Sequence, residues 1–191
     1  MTHFFSPDGK VFAATVLTCE PLSVSHTKKI DGKDGYDAIQ VAVYKQKESR
    51  VSKAKLGHLK GEAYKVVREF RTSPGDLSVG ATIAADIFKA GDIVSVSSVS
   101  KGKGFQGVMK RHGMHGGWHQ HGQKHSMREV GSIGSTGQQR VNKGKRMPGR
   151  MGSDKVTEKN REILGIDLEG GFILVKGAVA GKRGTLVELK G

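Results

Sequence analysis

Five of the eight histidines, His112, His115, His119, His121 and His125, fall within fourteen consecutive residues. Their three- and four-residue spacings are those at which paired imidazoles bind zinc. The rest of a zinc site is missing: there is no HExxH, no nearby cysteine, and Glu129 is the only local carboxylate. Imidazoles in such a setting suit hydrogen bonds to phosphates and 2′-hydroxyls, or stacking on unpaired bases. Ser126, Ser132 and Ser135 have histidines close in sequence, but no acid is placed to orient them, so no nucleophile with its base is formed. No catalytic residue, metal or cofactor is expected, and the chain reads as a non-enzyme.

Gly102-x-Gly104-x-x-Gly107 spells a dinucleotide fingerprint, with Glu129 downstream as a candidate ribose ligand. That motif must open a helix whose N-terminus holds a pyrophosphate, whereas Gly113, Gly116 and Gly117 follow here without an amphipathic stripe. A different chemistry accounts for the same glycines. Lys101-Gly102-Lys103-Gly104-Phe105 opens the region and Lys143-Gly144-Lys145-Arg146-Met147-Pro148-Gly149-Arg150 closes it. Glycine lets the backbone approach a phosphate ribbon, and each cation neutralises a phosphate and releases a counterion. The expected RNA contacts are Lys101, Lys103, Lys110, Arg111, Lys124, Arg128, Arg140, Lys143, Lys145, Arg146 and Arg150 for phosphates. His112, His119, His121, His125, Phe105 and Trp118 are expected at bases and sugars. Trp118 is the best single stacking candidate, the alternative being a ring folded back on the protein body.

The charge distribution isolates this region. The 191 residues carry 32 Lys+Arg against 18 Asp+Glu, a formal +14. Residues 101–152 hold 11 basic side chains and one acid, hence +10, with 13 of the 28 glycines and no Leu or Ala. Their apolar residues follow neither a 3.6 nor a 2.0 period, so the segment is expected to be an extension without a core, disordered until it binds. Residues 1–100 carry a net +3 and residues 153–191 a net +1. A chain this basic is expected on a polyanion, nucleic acid first. The lone Cys19 excludes an internal disulfide. No export signal and no apolar run of about 18 residues is present, so an intracellular protein without a membrane partner is expected.

Short β-branched runs, 11–18, 37–44, 79–88 and 92–99, then 162–168, 172–179 and 185–189, are separated by Gly, Asp or Pro. Glu169-Gly170-Gly171 reads as a hairpin turn. In residues 50–72, Gly57 and Gly61 confine any helix to a piece around 62–70. The expected architecture is mainly β: a barrel domain built from 1–100 and 153–191, with a small irregular or helical insertion near 50–72 and the basic extension 101–152 looping out between two strands.

The run Asp86 to Gly113 (DIFKAGDIVSVSSVSKGKGFQGVMKRHG), then Gly131-Ser132-Ile133-Gly134, Lys143 to Gly152 (KGKRMPGRMG) and Phe172 to Gly181 (FILVKGAVAG) resembles the bacterial form of the large-subunit ribosomal protein L three family. MTHFFSPDGKVFAATVL and KDGYDAIQVA resemble its opening strands. The resemblance implies a translation-protein-type β-barrel with a long finger. It implies binding to large-subunit ribosomal RNA, a part in early subunit assembly, and a finger directed towards the peptidyl transferase centre. The implied partners are that RNA and neighbouring large-subunit proteins, in the cytoplasmic ribosome, without homo-oligomerisation. A transient barrel-containing translation or RNA-maturation factor is the alternative. Departures from the family pattern are the absence of a Gly- and Lys-containing stretch ahead of Met1-Thr2, Gln138-Gln139 in place of a Pro-Gly-like pair, and Ala180 in place of Pro.

Overall fold

The computed structural model describes every residue except 76. The chain divides into two compact units, the first comprising 1–94, 160–178 and 191, the second 95–159 and 179–190. In the first unit, β1 (Thr2–Phe5) pairs antiparallel with β2 (Val11–Thr18). β3 (Leu22–Lys28) and β4 (Ala38–Lys45) form the centre of a four-stranded sheet. The connection after β4 carries a 3-10 turn and α1 (Lys53–His58), and then returns as β5 (Tyr64–Phe70). The two-residue β6 (Thr82–Ile83) pairs with β3.

β4 is covered on both faces, which is why its apolar pattern is almost continuous. Ile39 and Val41 join Val24 in one cluster, with Leu22, Phe70, Ala81 and Ile83 against it. Ala42 meets Leu59 and Tyr64 in another, with Val67 packed on it. Full burial of each such aliphatic side chain contributes about 1.5–3 kcal/mol.

The second unit holds most of β7 (Ile93–Val99), followed by β8 (Phe105–Gln106), α2 (Val108–His112) and β9 (Gly149–Arg150). β10 (Lys155–Asp167) runs from the second unit into the first; β11 (Phe172–Lys176) lies in the first and β12 (Val187–Lys190) in the second. In the first unit β11 pairs with both β2 and β10, and in the second β12 pairs with β7. Asp167 and Phe172 are cross-strand partners, and Gly170 N–H donates to Asp167 Oδ1 at 2.8 Å, so the turn at 169–171 is the expected hairpin.

The mainly β class stands, but the sheets do not close into a barrel. In the order β5-β4-β3-β6 the outer strands have no ladder between them, and β6 offers only two paired positions. The insertion also differs from expectation. Residues 64–70 are a strand, because Tyr64, Val66, Val67 and Phe70 pair along β4 from Lys45↔Tyr64 to Ile39↔Phe70 and find their core there. The helix lies earlier, across Gly57, started by Ser52 Oγ accepting from Lys55 N–H at 3.4 Å. Of the run 79–88 only residues 82–83 are extended in a ladder; β1 falls in the opening segment that carries the family resemblance, whereas β3 and β5 are not among the expected strands.

At the exposed end of this sheet Lys28 Nζ lies 2.9 Å from Glu69 Oε2 and donates to Tyr36 Oη at 2.8 Å, while Tyr36 Oη donates to Glu69 Oε1 at 2.9 Å. The hydrogen bond to Tyr36 and the Glu69 carboxylate hold the Lys28 ammonium above its ordinary range; the Lys28 hydrogen bond and then that of Tyr36 hold Glu69 below its own. A depressed acid stabilises above its unfolded pKa of about 4.3, and a raised amine stabilises below about 10.4. The stability difference between wild type and Glu69→Gln in urea melts is therefore expected to stay flat between these limits. It should narrow as pH falls through the lowered Glu69 value, and shrink with added salt because the pair faces solvent.

Candidate nucleic-acid interface

The basic segment, part of the second unit, is closed at its base by an antiparallel neck. Ser100 N–H donates to Asp154 O at 2.9 Å, Lys103 N–H to Met151 O at 2.9 Å, and Met151 N–H to Gly104 O at 2.9 Å. The ladder continues through Phe105↔Arg150 and Gln106↔Gly149. Glycine is required at one place in the neck and gives a close side-chain approach at another. Gly152 has φ +77°, and a Cβ there would collide with Lys101 O. At Gly149 a Cβ would stand 2.7 Å from Arg111 Nη1.

That second approach explains the two expected contacts that are not exposed. Arg111 Nη1 donates to Met147 O at 2.7 Å, and His112 Nε2 lies 3.0 Å from the same carbonyl. Both side chains are half-buried and join α2 to the returning strand. The glycine fingerprint does precede a helix, contrary to the sequence reading, but α2 has only five residues and ends at Gly113 with φ +69°. Its flanking strands are antiparallel, so the parallel βαβ setting of a dinucleotide site is not present here.

Fifteen of the seventeen expected RNA contacts are exposed: Lys101, Lys103, Phe105, Lys110, Trp118, His119, His121, Lys124, His125, Arg128, Arg140, Lys143, Lys145, Arg146 and Arg150. Phe105 is 75% and Trp118 82% exposed, so the indole is not folded back. Val108 is the one buried residue between 101 and 152. The distal loop is closed by Gly117 N–H donating to Met127 O at 2.9 Å and by Gln123 Nε2 donating to Ser126 Oγ at 2.6 Å. The histidines are not assembled into a donor set: among the described residues no group of three or more His, Cys, Asp or Glu is placed to hold a metal ion. No helix among them is long and apolar enough to cross a membrane.

What this arrangement can do is lay exposed cations and two flat rings along a phosphate ribbon, on a backbone rich in glycine. Sequence reasoning missed the neck as a structural device, because its pairing couples residues about fifty positions apart and each strand has too few side chains to show a period. The family model for ribosomal protein L3 matches residues 38–171, which includes the entire basic segment. The chain is 42% identical over 193 residues to the large ribosomal subunit protein uL3 of Oceanobacillus iheyensis, covering 99% of this chain and 91% of the relative. It is 43% identical over 195 residues to uL3 of Desulfotalea psychrophila, covering 99% and 92%. Similarity at this level along nearly the whole chain, finger included, makes the protein a member of the ribosomal protein L3 family.

Proposed function

We propose that the chain is a structural, non-catalytic constituent of the large ribosomal subunit in the cytoplasm, with large-subunit ribosomal RNA and neighbouring ribosomal proteins as its partners. Residues 1–100 and 153–191 form the body. Residues 101–152 penetrate folded RNA, where their cations neutralise closely packed phosphates. The finger is directed towards the peptidyl transferase centre, and binding supports early subunit assembly without homo-oligomerisation.

The observation that supports this reading is the finger itself: +10 of net charge on a segment with one buried residue, its rings and cations facing solvent, in a chain similar to uL3 proteins throughout. A solvated loop needs neither exposed aromatic rings nor a neck that aims it. The test is the salt dependence of binding to a large-subunit RNA transcript. If the ten exposed basic side chains of the segment contact phosphate, the log–log slope reaches about −7 to −9, at roughly 0.7–0.9 per contact. A slope near zero overturns the proposal.

A further inference from the structure

The near balance of residues 1–100 conceals a second concentration of charge. Residues 45–65 carry seven basic side chains, Lys45, Lys47, Arg50, Lys53, Lys55, Lys60 and Lys65, against Glu48 and Glu62. That is +5 in 21 residues, a higher net charge per residue than the finger's, while the other 79 residues of 1–100 carry −2. We propose that this α1–β5 face of the first unit is a second RNA-phosphate-binding surface, which deepens the reading of the chain as a binder of ribosomal RNA and rests on it.

The fold anchors the backbone that carries these cations. Val51 and Leu59 are buried beneath them at 9% and 5% exposure, with Leu59 packed on Ala42 and Tyr64. Gln46 N–H donates to Ala63 O at 2.9 Å, and Lys55 Nζ donates to Lys65 O at 2.7 Å, tying α1 to the start of β5. Lys45 Nζ stands 5.7 Å from the centre of the Tyr64 ring. Lys47, Arg50, Lys53, Lys60 and Lys65 are exposed, and among the described residues none of them is paired with a carboxylate. Elsewhere in the same unit Lys28 and Lys176 are each paired with an acid. Five exposed cations on an anchored backbone make a locally positive surface that attracts a polyanion.

The chemistry favours a phosphate backbone over an acidic protein. No large hydrophobic side chain is exposed between 45 and 65, whereas protein interfaces bury an apolar centre. Positioning contacts to phosphate need only cations and backbone donors.

The test uses the full-length chain and a large-subunit RNA transcript, comparing wild type with K47Q/R50Q/K53Q/K60Q/K65Q. All five sites are exposed, and unchanged far-UV circular dichroism and melting temperature establish that the variant is folded. The expected result is a log–log salt slope shallower by about 3.5 to 4.5, at roughly 0.7–0.9 per contact, while the finger's share of the slope remains. Replacing the same five positions with Lys or Arg of the other type should leave the slope unchanged. A variant slope equal to a steep wild-type slope overturns this surface and leaves the proposed function standing; a wild-type slope near zero removes both. Loss of the variant from large subunits with its RNA slope unaltered would assign the face to an acidic protein instead, and would also overturn the inference.

Discussion

Replacing Lys101, Lys103, Lys110, Lys143 and Lys145 together by Gln is expected to weaken binding to large-subunit RNA roughly 10²- to 10³-fold at about 0.2 M salt. Each phosphate contact changes the logarithm of affinity by about 0.7–0.9 per decade of salt, so near 0.2 M one contact is worth a factor of roughly 3–4. Five contacts compound to the stated range, and the slope should fall by about 3.5–4.5. All five side chains are exposed and none is paired with a carboxylate among the described residues. The loss therefore belongs to the complex and not to the fold, and the melting temperature should be unchanged. Five Arg replacements should keep the affinity within a few-fold, since the contact is Coulombic. Filter binding across a salt series checks both, and an affinity within two-fold of wild type at every salt concentration refutes the expectation.

Gly152→Val is expected to act on the same function by a different route. The residue sits at φ +77°, and its Cβ would collide with the Lys101 carbonyl. A β-branched residue forced into that conformation costs about 1–3 kcal/mol before the collision is counted. The cheapest relief is to open the neck. Amide exchange at Lys103 and Met151, whose N–H groups donate across it, should accelerate, whereas exchange in β4 should not. The charge is unaltered, so the salt slope should be that of wild type while the affinity falls about ten-fold per 1.4 kcal/mol of lost order. Gly137→Ala is the control: a Cβ there meets nothing within 4 Å, and the change should stay within about 0.5 kcal/mol. Unchanged exchange at Lys103 in Gly152→Val would show that the neck tolerates the side chain.

The two predictions separate charge from shape, and the sequence disclosed these unequally. The charge of residues 101–152 was readable because lysine, glycine and histidine accumulate there and leucine and alanine vanish, a change of composition that needs no long-range information. β2 was readable over its observed extent, since VFAATVLT is β-branched and bounded by polar residues. β5 was not. Its residues carry a helix-compatible mixture of Lys, Arg and Glu, and only the ladder with β4 determines that they are extended. The short α1 was hidden by Gly57, whose cost in a helix of about 1 kcal/mol is offset by the Ser52 cap and by Leu59 entering the core. The surface at 45–65 escaped notice for an arithmetic reason: its excess of cations was averaged against acids that lie elsewhere in the first hundred residues.

Some properties follow from sequence alone: the mainly β class, the segment that carries the charge, and the kinds of side chain available to meet RNA. They are sums over neighbours along the chain, and hydrophobic period and net charge are legible at that range. The tertiary structure decided which cations are exposed, since Arg111 and His112 are drawn inward to Met147 O, 36 and 35 residues along the chain. It also decided that the sheets stay open and that α1 presents its lysines beside β5. Those outcomes depend on hydrogen bonds and burial between residues distant in sequence, and these exist only once the chain has folded back on itself.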